Sequence, residues 1–163
     1  MRLTLTTAVC AVALASTANA APQRPSSSAV PISVLARPAL PAAAAVDAFH
    51  NALKRGHTKT ALGFLTSDAL IFEAGGVERG KAEYASHHLA ADAAFSQAVP
   101  GIITRRAGQA VGDVAWIASE GRTTGTYKGK PVDRRTVETM VLRRTAAGWK
   151  IAHIHWSSAA GGK

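Results

Sequence analysis

Beyond Pro100 the apolar residues of this chain recur at every second position, in four segments separated by turns that contain Gly or Pro. The segments span residues 102–109, 114–126, 134–144 and 149–157. Side chains at alternate positions of a strand point to opposite faces of a sheet. The pattern therefore predicts four consecutive antiparallel strands, each with one face towards a core.

Upstream of Pro100 the apolar residues recur every three or four positions instead. A first helix ends at Gly56 and has one apolar stripe, formed by Ala42, Val46, Phe49 and Leu53. A short helix over 59–65, a buried strand over 69–73 and a third helix over 79–89, with a last turn through 92–95, follow it. This order predicts an α+β fold, in which a strongly curved antiparallel sheet wraps around the N-terminal helices.

The first 20 residues have the three parts of a secretory signal peptide. Arg2 supplies an early positive charge, an uncharged run follows, and Ala18-Asn19-Ala20 is a small-residue cleavage site. Thr and Ser interrupt the uncharged run, which favours cleavage over a membrane-spanning helix. Residues 21–41 are rich in Pro, Ser and Ala and predict a disordered linker. We expect cleavage before Ala21, export to the periplasm or the medium, one domain over 42–158 and a flexible tail over 159–163.

The single cysteine, Cys10, lies in the segment that we expect to be removed. The exported chain would then have neither a disulfide nor a thiol nucleophile. The full sequence has a formal charge of +9. The exported chain, without Arg2, would have a charge of +8, which would attract anionic envelope surfaces or acidic ligands. We predict no nucleic-acid partner, because neighbouring basic residues on a strand point to opposite faces; these pairs are Arg105-Arg106, Arg134-Arg135 and Arg143-Arg144.

The last predicted strand contains the segment WKIAHIHWS at 149–157, and the first helix contains VDAF at 46–49. With the order of elements, these segments resemble the SnoaL-like branch of the nuclear-transport-factor-2-like superfamily, over roughly residues 41–158. The last strand is also similar to that of the association domain of calcium/calmodulin-dependent kinase II. The resemblance implies a cone-shaped α+β barrel with a pocket at its open end, and a homodimer through the outer face of the sheet. It does not imply a reaction, because one fold can serve many functions.

The last strand carries the first candidates for chemistry. In a regular strand Trp149, Ile151, His153 and His155 share one face, which we assign to the interior of the cone. Two imidazoles two positions apart could share a metal ion, act as a neutral hydrogen-bonding pair, or be satisfied core histidines. We assign His155 to catalysis and His153 to ligand binding.

A second group of candidates comes from the strand over 114–126. Trp116, Glu120 and Arg122 share a face and could line a polar pocket mouth, although Glu and Arg in such positions more often form an exposed cross-strand ion pair. Glu138, on the next strand, is a potential partner for an imidazole. We assign Glu120 to catalysis, and Trp116, Arg122 and Glu138 to ligand binding.

The third helix places Tyr84 and His88 four positions apart on one face. The adjacent His87 points about 100° away, so only one of the two histidines can face a pocket. We assign His88 to catalysis and Tyr84 to ligand binding. Asp92, one turn further, could orient the ring of His88, and Glu73 is the remaining acid within reach.

Three hypotheses of function follow. The first is an exported small-molecule-binding protein with a His-lined pocket. If it is an enzyme, its histidine and carboxylate side chains suit general acid–base catalysis without a cofactor. The sequence contains no nucleophile elbow, phosphate loop or dinucleotide motif. The second is a periplasmic zinc- or copper-binding protein, with ligands from His88, His153, His155, Glu73 and Asp92. The third is a non-catalytic module for assembly or envelope interaction.

Overall fold

The computed structural model describes residues 33–162, which form seven strands and four α-helices. In chain order these are β1 (Ser33–Leu35), α1 (Leu40–Lys54), α2 (Thr58–Leu62), β2 (Leu65–Glu73), β3 (Gly76–Glu78), α3 (Lys81–His87), α4 (Leu89–Ala98), β4 (Gly101–Val111), β5 (Val114–Tyr127), β6 (Lys130–Thr145) and β7 (Gly148–Ala160). The predicted signal peptide lies outside the described residues. No helix within 33–162 is long and apolar enough to span a membrane.

The strands form one sheet in the order β1-β4-β5-β6-β7-β2-β3. The four long strands pair antiparallel, as predicted, whereas β2 and β1 are added in parallel at the β7 and β4 sides. Helix α1 packs on the concave face with its predicted stripe, whose members Ala42, Val46, Phe49 and Leu53 are at most 2% exposed. The predicted α+β fold, a curved sheet around N-terminal helices, is confirmed.

Residues on the concave face align in rows across the strands. One row contains Ala115, Leu142, Ile151 and Leu65, and the next contains Ile117, Met140, Ile154 and Ile71. All eight side chains are at most 3% exposed. Complete burial of a large aliphatic side chain contributes about 1.5–3 kcal/mol, so these two rows and the stripe of α1 account for much of the core.

Several predicted boundaries need correction. The predicted flexible tail over 159–163 begins too early, because Ala159 and Ala160 belong to β7 and pair with β6. Residues 33–39 of the predicted linker form β1 and a 3-10 turn, because the backbone of β1 pairs with the edge of β4 and needs little apolar side-chain area. Residues 63–65 are not helical, since Leu65 already pairs with Ile151 of β7. The predicted third helix is divided at His88, whose φ of −106° separates α3 from α4.

Strand β7 is irregular at Ala152. Val141 pairs with His153, but the next residue of β6, Leu142, pairs with Ile151, so Ala152 is left without a partner. An extra residue of this kind is a β-bulge, and it reverses the alternation of faces beyond it. Odd-numbered residues of β7 therefore face the interior before Ala152, and even-numbered residues face it after Ala152.

The bulge overturns the predicted interior position of the two histidines. Ile154 and Trp156 continue the inner face of β7, and His153 and His155 lie on the outer face. The interior assignment is wrong because it assumed unbroken alternation from Trp149 onwards.

Candidate functional site

Above the two apolar rows, the concave face carries a row that is mostly polar. Its five members pair in sequence across β4, β5, β6, β7 and β2, and they are Arg106, Ser119, Glu138, Trp156 and Glu73. We call them the polar row. Buried polar groups destabilise a fold unless they are hydrogen-bonded, so a polar row inside an apolar cone marks a candidate site.

Glu138 is the centre of the polar row. Its Oε2 accepts hydrogen bonds from His50 Nε2 on α1 and from Trp156 Nε1, both at 2.7 Å. Burial raises the pKa of Glu138, but the charge and hydrogen bond of His50, the hydrogen bond of Trp156 and the charge of Arg106 outweigh it, so the pKa is lowered overall. Glu138 is thus a fixed carboxylate that holds the indole of Trp156, which stacks on Phe49 with centroids 6.3 Å apart.

Arg106 forms the β4 end of the polar row. It is 7% exposed, and it donates from Nη1 to Asp47 Oδ1 at 2.6 Å and from Nε to Ser119 Oγ at 3.1 Å. These bonds connect the sheet to α1, which carries Asp47. The remaining nitrogen, Nη2, has no hydrogen-bond partner among the described residues.

At the other end of the row, Tyr84 and Asp92 form a hydrogen-bonded pair beside Glu73. The hydroxyl of the fully buried Tyr84 donates to Asp92 Oδ2 at 2.8 Å, and the tyrosine ring lies 6.5 Å from that of Trp156. Burial raises the pKa of Asp92 despite this hydrogen bond, and burial together with the charge of Asp92 raises the pKa of Glu73. Burial and Asp92 also raise the pKa of Tyr84, so its hydroxyl stays a donor.

His88 lies next to these carboxyl groups but is oriented by a different acid from the predicted one. Its Nδ1 bonds to Oε1 of the buried Glu78, whereas Asp92 bonds to Tyr84. The charge of His88 lowers the pKa of both Asp92 and Glu73, opposing the effect of burial. The side chain of His88 is 53% exposed.

The structure thus brings together a subset of the predicted residues, namely Tyr84, His88, Asp92, Glu73 and Glu138. His155 is exposed on the outer face, and His153 bonds to the carbonyl of Leu70 at 2.9 Å. The face predicted for β5 is also wrong, because Ala115, Ile117 and Ser119 face inwards. The outward-facing residues of that strand are Trp116, Glu120 and Arg122, the last paired with Asp133 at 2.6 and 2.7 Å.

Five residues of the site were not predicted: His50, Glu78, Arg106, Ser119 and Trp156. Ser119 lies on the same face of β5 as the apolar Ala115 and Ile117, so assigning that face to the interior would have identified it. Arg106 likewise alternates with its neighbours in β4. His50 and Glu78 carry no such signal, because only tertiary packing brings them to their partners.

The metal hypothesis gains no support from the described residues. Within 33–162 no three His, Asp or Glu side chains are placed to hold a metal ion together. The predicted ligands are divided between the two sides of the sheet, with His88, Glu73 and Asp92 on the concave side and His153 and His155 on the other.

The space below the polar row is filled by core side chains, so a ligand would contact the row from its mouth, where Asp92 and Trp156 are half-buried and Glu73 is exposed. Two open grooves of about 510 and 720 Å³ lie elsewhere. The first runs between α1 and α2, and the second lies around Asp68, Arg143 and Lys150. Neither groove contains carboxyl groups with raised pKa values, so the polar row remains the better candidate.

A raised pKa at Asp92 predicts a specific dependence of stability on pH. The folded state binds the proton of Asp92 more tightly than the unfolded state, so this contribution is present at low pH and is lost as the pH rises through the folded pKa. We expect the free energy of unfolding of Asp92→Asn, relative to the original chain, to increase between pH 4 and pH 7. Urea titrations at several pH values would measure this, with exposed Asp113→Asn as the control; equal curves would contradict it.

A curved sheet around helices, with a polar row at its open end, defines a cone-shaped class of α+β proteins. The model of the SnoaL-like domain family matches residues 42–161, and the chain belongs to this family. The resemblance drawn from the segments at 46–49 and 149–157 is thereby confirmed.

The structure is similar to several solved ones. A protein described as a "putative ketosteroid isomerase", from Shewanella frigidimarina, is 37% identical over 76% of this chain and 100% of that chain, with a TM-score of 0.71. The hub of calcium/calmodulin-dependent kinase II from S. rosetta is 23% identical over 76% and 98%, with a TM-score of 0.61. An NTF2-like protein from Novosphingobium aromaticivorans is 16% identical over 75% and 82%, also at 0.61. The last two show the fold alone. No curated protein matches the chain.

Proposed function

We propose that this protein binds a small organic molecule at the mouth of the polar row and transfers a proton on it. The observation that carries the proposal is the half-buried carboxyl group of Asp92, which accepts a hydrogen bond from the buried Tyr84 at 2.8 Å. Its pKa and that of the nearby, exposed Glu73 are both raised. A base works best when its pKa is close to the working pH, and burial is a common way to bring a carboxyl group there.

The two carboxyl groups suit complementary roles. Because their charges repel, one tends to keep a proton while the other is ionised. The ionised Asp92 would accept a proton from a carbon next to a ligand carbonyl, and the electron pair would move to the carbonyl oxygen, to which protonated Glu73 donates a hydrogen bond. Asp92 would then return the proton to another carbon. The name of the 37% identical relative, an isomerase, supports this class of reaction.

The aromatic side chains next to the carboxyl groups indicate the type of ligand. Trp156 lies between Phe49 and Tyr84, and its indole N–H is held by Glu138. Apolar walls with a few fixed polar groups are typical of sites for small, largely apolar molecules. We therefore expect an enolisable ketone rather than a charged metabolite.

Nuclear magnetic resonance in heavy water would test the function with a panel of cyclic and steroid enones. We expect protein-dependent exchange of the protons next to the carbonyl, and a shift of the Trp156 indole signal. The outward-facing Trp116 is an internal control whose signal should not move. If no enone shifts Trp156 and none exchanges faster than in buffer, the proposal fails.

We also propose that the chain is exported and cleaved before Ala21. The support is the three-part layout of residues 1–20. Intact-mass measurement of protein from the periplasm or medium should give a chain that begins at Ala21, and Ala18→Arg should block processing. A mass that retains Met1 or Arg2 in the exported fraction would contradict cleavage.

A homodimer through the outer face of the sheet is a further proposal, supported by apolar side chains that this face exposes. Trp116, Val114 and Val137 are 42%, 51% and 53% exposed, and contiguous exposed apolar area commonly marks an interface. We expect Trp116→Lys with Val137→Lys to halve the mass in solution measured by light scattering. Leu40→Lys, at the start of α1, is the control; a monomeric original chain would refute the dimer.

A further inference from the structure

The β5–β6 hairpin extends beyond the rest of the sheet. Pairing with β4 reaches only Thr123, and pairing with β7 reaches only Arg134. Within the described part of the chain, residues 124–133 therefore pair as strands only with each other. At about 3.4 Å per residue this two-stranded segment extends roughly 15 Å beyond the pairing with β4 and β7, with one side against α4, where Tyr127 packs on Phe95. We call residues 122–135 the basic finger.

Most of the net charge of the described chain is in the basic finger. Residues 33–162 contain 16 basic and 10 acidic residues, a formal charge of +6. Five of those basic residues and one acidic residue lie between 122 and 135, a formal charge of +4. The basic residues are Arg122, Lys128, Lys130, Arg134 and Arg135, and all are exposed.

These cations are not explained by interactions within the fold. Arg122 pairs with Asp133, but the other four have no carboxylate within 4 Å among the described residues. At the opposite end of β6, in contrast, Arg143 pairs with Asp68 at 2.5 Å and Arg144 pairs with Asp113 at 3.4 Å. Arg122 and Arg135 even stand directly opposite each other across the hairpin, an arrangement of like charges that destabilises a sheet. An external anion would relieve it.

The position of the basic finger relates it to the candidate site. Along β5 and β6, the apolar row of Ala115 and Leu142 comes first, the polar row of Ser119 and Glu138 second, and the finger last. The finger therefore projects at the same end as the mouth of the polar row. A surface that bound the finger would face that mouth.

We infer that the basic finger docks on the anionic headgroups of a lipid bilayer, with Lys128 and Lys130 at its tip as the leading contacts. A bilayer is favoured over a single-stranded nucleic acid because the aromatic ring of the finger, Tyr127, is not free to stack on bases. It packs on Phe95 with centroids 5.2 Å apart, and Lys128 lies 5.3 Å above it. Each cation near an anionic bilayer strengthens binding about fivefold, and salt weakens it.

Sedimentation with vesicles tests the inference. Every variant begins at the same residue, so that the variants differ only in the substitutions. We expect binding to vesicles of phosphatidylcholine with one third phosphatidylglycerol, none beyond background to pure phosphatidylcholine, and release by 0.5 M salt. The variant Lys128→Asn, Lys130→Gln, Arg134→Gln should bind roughly a hundredfold more weakly, at about fivefold per cation. Asn is used at 128 because φ there is +49°, a region that Asn tolerates.

The control removes the same charge from a surface outside the basic finger. Lys54, Arg55 and Lys59 are exposed on and after α1, and their triple replacement by Gln should weaken binding far less. The inference is overturned if both triple variants lose binding equally, because net charge alone would then explain it. It is also overturned if the original chain ignores anionic vesicles, or binds duplex DNA more tightly than vesicles at the same salt.

Discussion

Replacing Asp92 by Asn is expected to slow proton exchange on a bound enone by at least about a hundredfold, which is the lower range of the effect of a general base. Asn keeps the shape and can still accept the hydrogen bond from Tyr84, but it cannot take up a proton. The measurement is the rate of deuterium incorporation by nuclear magnetic resonance at saturating ligand. Glu120→Gln, on the outer face of β5, should leave the rate unchanged.

Two companion variants distinguish the roles at this site. Glu73→Gln keeps a hydrogen-bond donor and should slow exchange less than Asp92→Asn does. Tyr84→Phe removes the bond at 2.8 Å and should shift the pH dependence of the rate upwards, because Asp92 loses a contact that lowers its pKa. If both Asp92→Asn and Glu73→Gln retain the original rate while the ligand still binds, the acid–base role is refuted.

Replacing Glu138 by Ala should lower the free energy of unfolding by about 3 kcal/mol, the order expected when one member of a buried charged pair is removed. The indole N–H of Trp156 and the ring of His50 would both lose their acceptor, and Arg106 would lose a neighbouring negative charge. Urea unfolding measures the change. Glu120→Ala, an exposed glutamate on the adjacent strand, should change the free energy by less than about 0.5 kcal/mol.

The pH dependence of the Glu138 effect has the opposite sign to that of Asp92. The pKa of Glu138 is lowered in the folded state, so its stabilisation is present above the unfolded pKa and is lost as the pH falls through the folded one. The difference between the original chain and Glu138→Gln should therefore shrink on acidification. A difference that stays constant down to pH 3 would mean that the charge of Glu138 does not stabilise the fold.

The two histidines of β7 show where sequence reasoning failed. The segment WKIAHIHWS indicated the family correctly, yet it misplaced its own side chains, because the bulge at Ala152 is not marked by Gly or Pro. The inner face of β7 after Ala152 consists of Ile154 and Trp156. Because of this single unpaired residue, an indole occupies the inner-face position that the sequence analysis had assigned to histidines.

Strand β5 shows a second limit. Both of its faces contain apolar residues, Ala115 and Ile117 on one and Val114 and Trp116 on the other. Which face is buried depends on the side on which α1 packs, and that information is not local to the strand. The shared face of Tyr84 and His88 was easier to predict, because it depends only on their spacing in the sequence. The structure places both residues beside Asp92 and Glu73.

Local patterns were enough to predict the α+β class, the four long strands, the stripe of α1 and the family, because each depends on the period of a continuous segment or on a short motif. Tertiary structure decided the site. His50 and Trp156 meet at one oxygen of Glu138 although they lie 88 and 18 positions from it. These two hydrogen bonds depend on the register of β5, β6 and β7 and on the position in which α1 packs on the concave face. Register is set by the sum of many packing contacts and by one bulge, so no single segment encodes it.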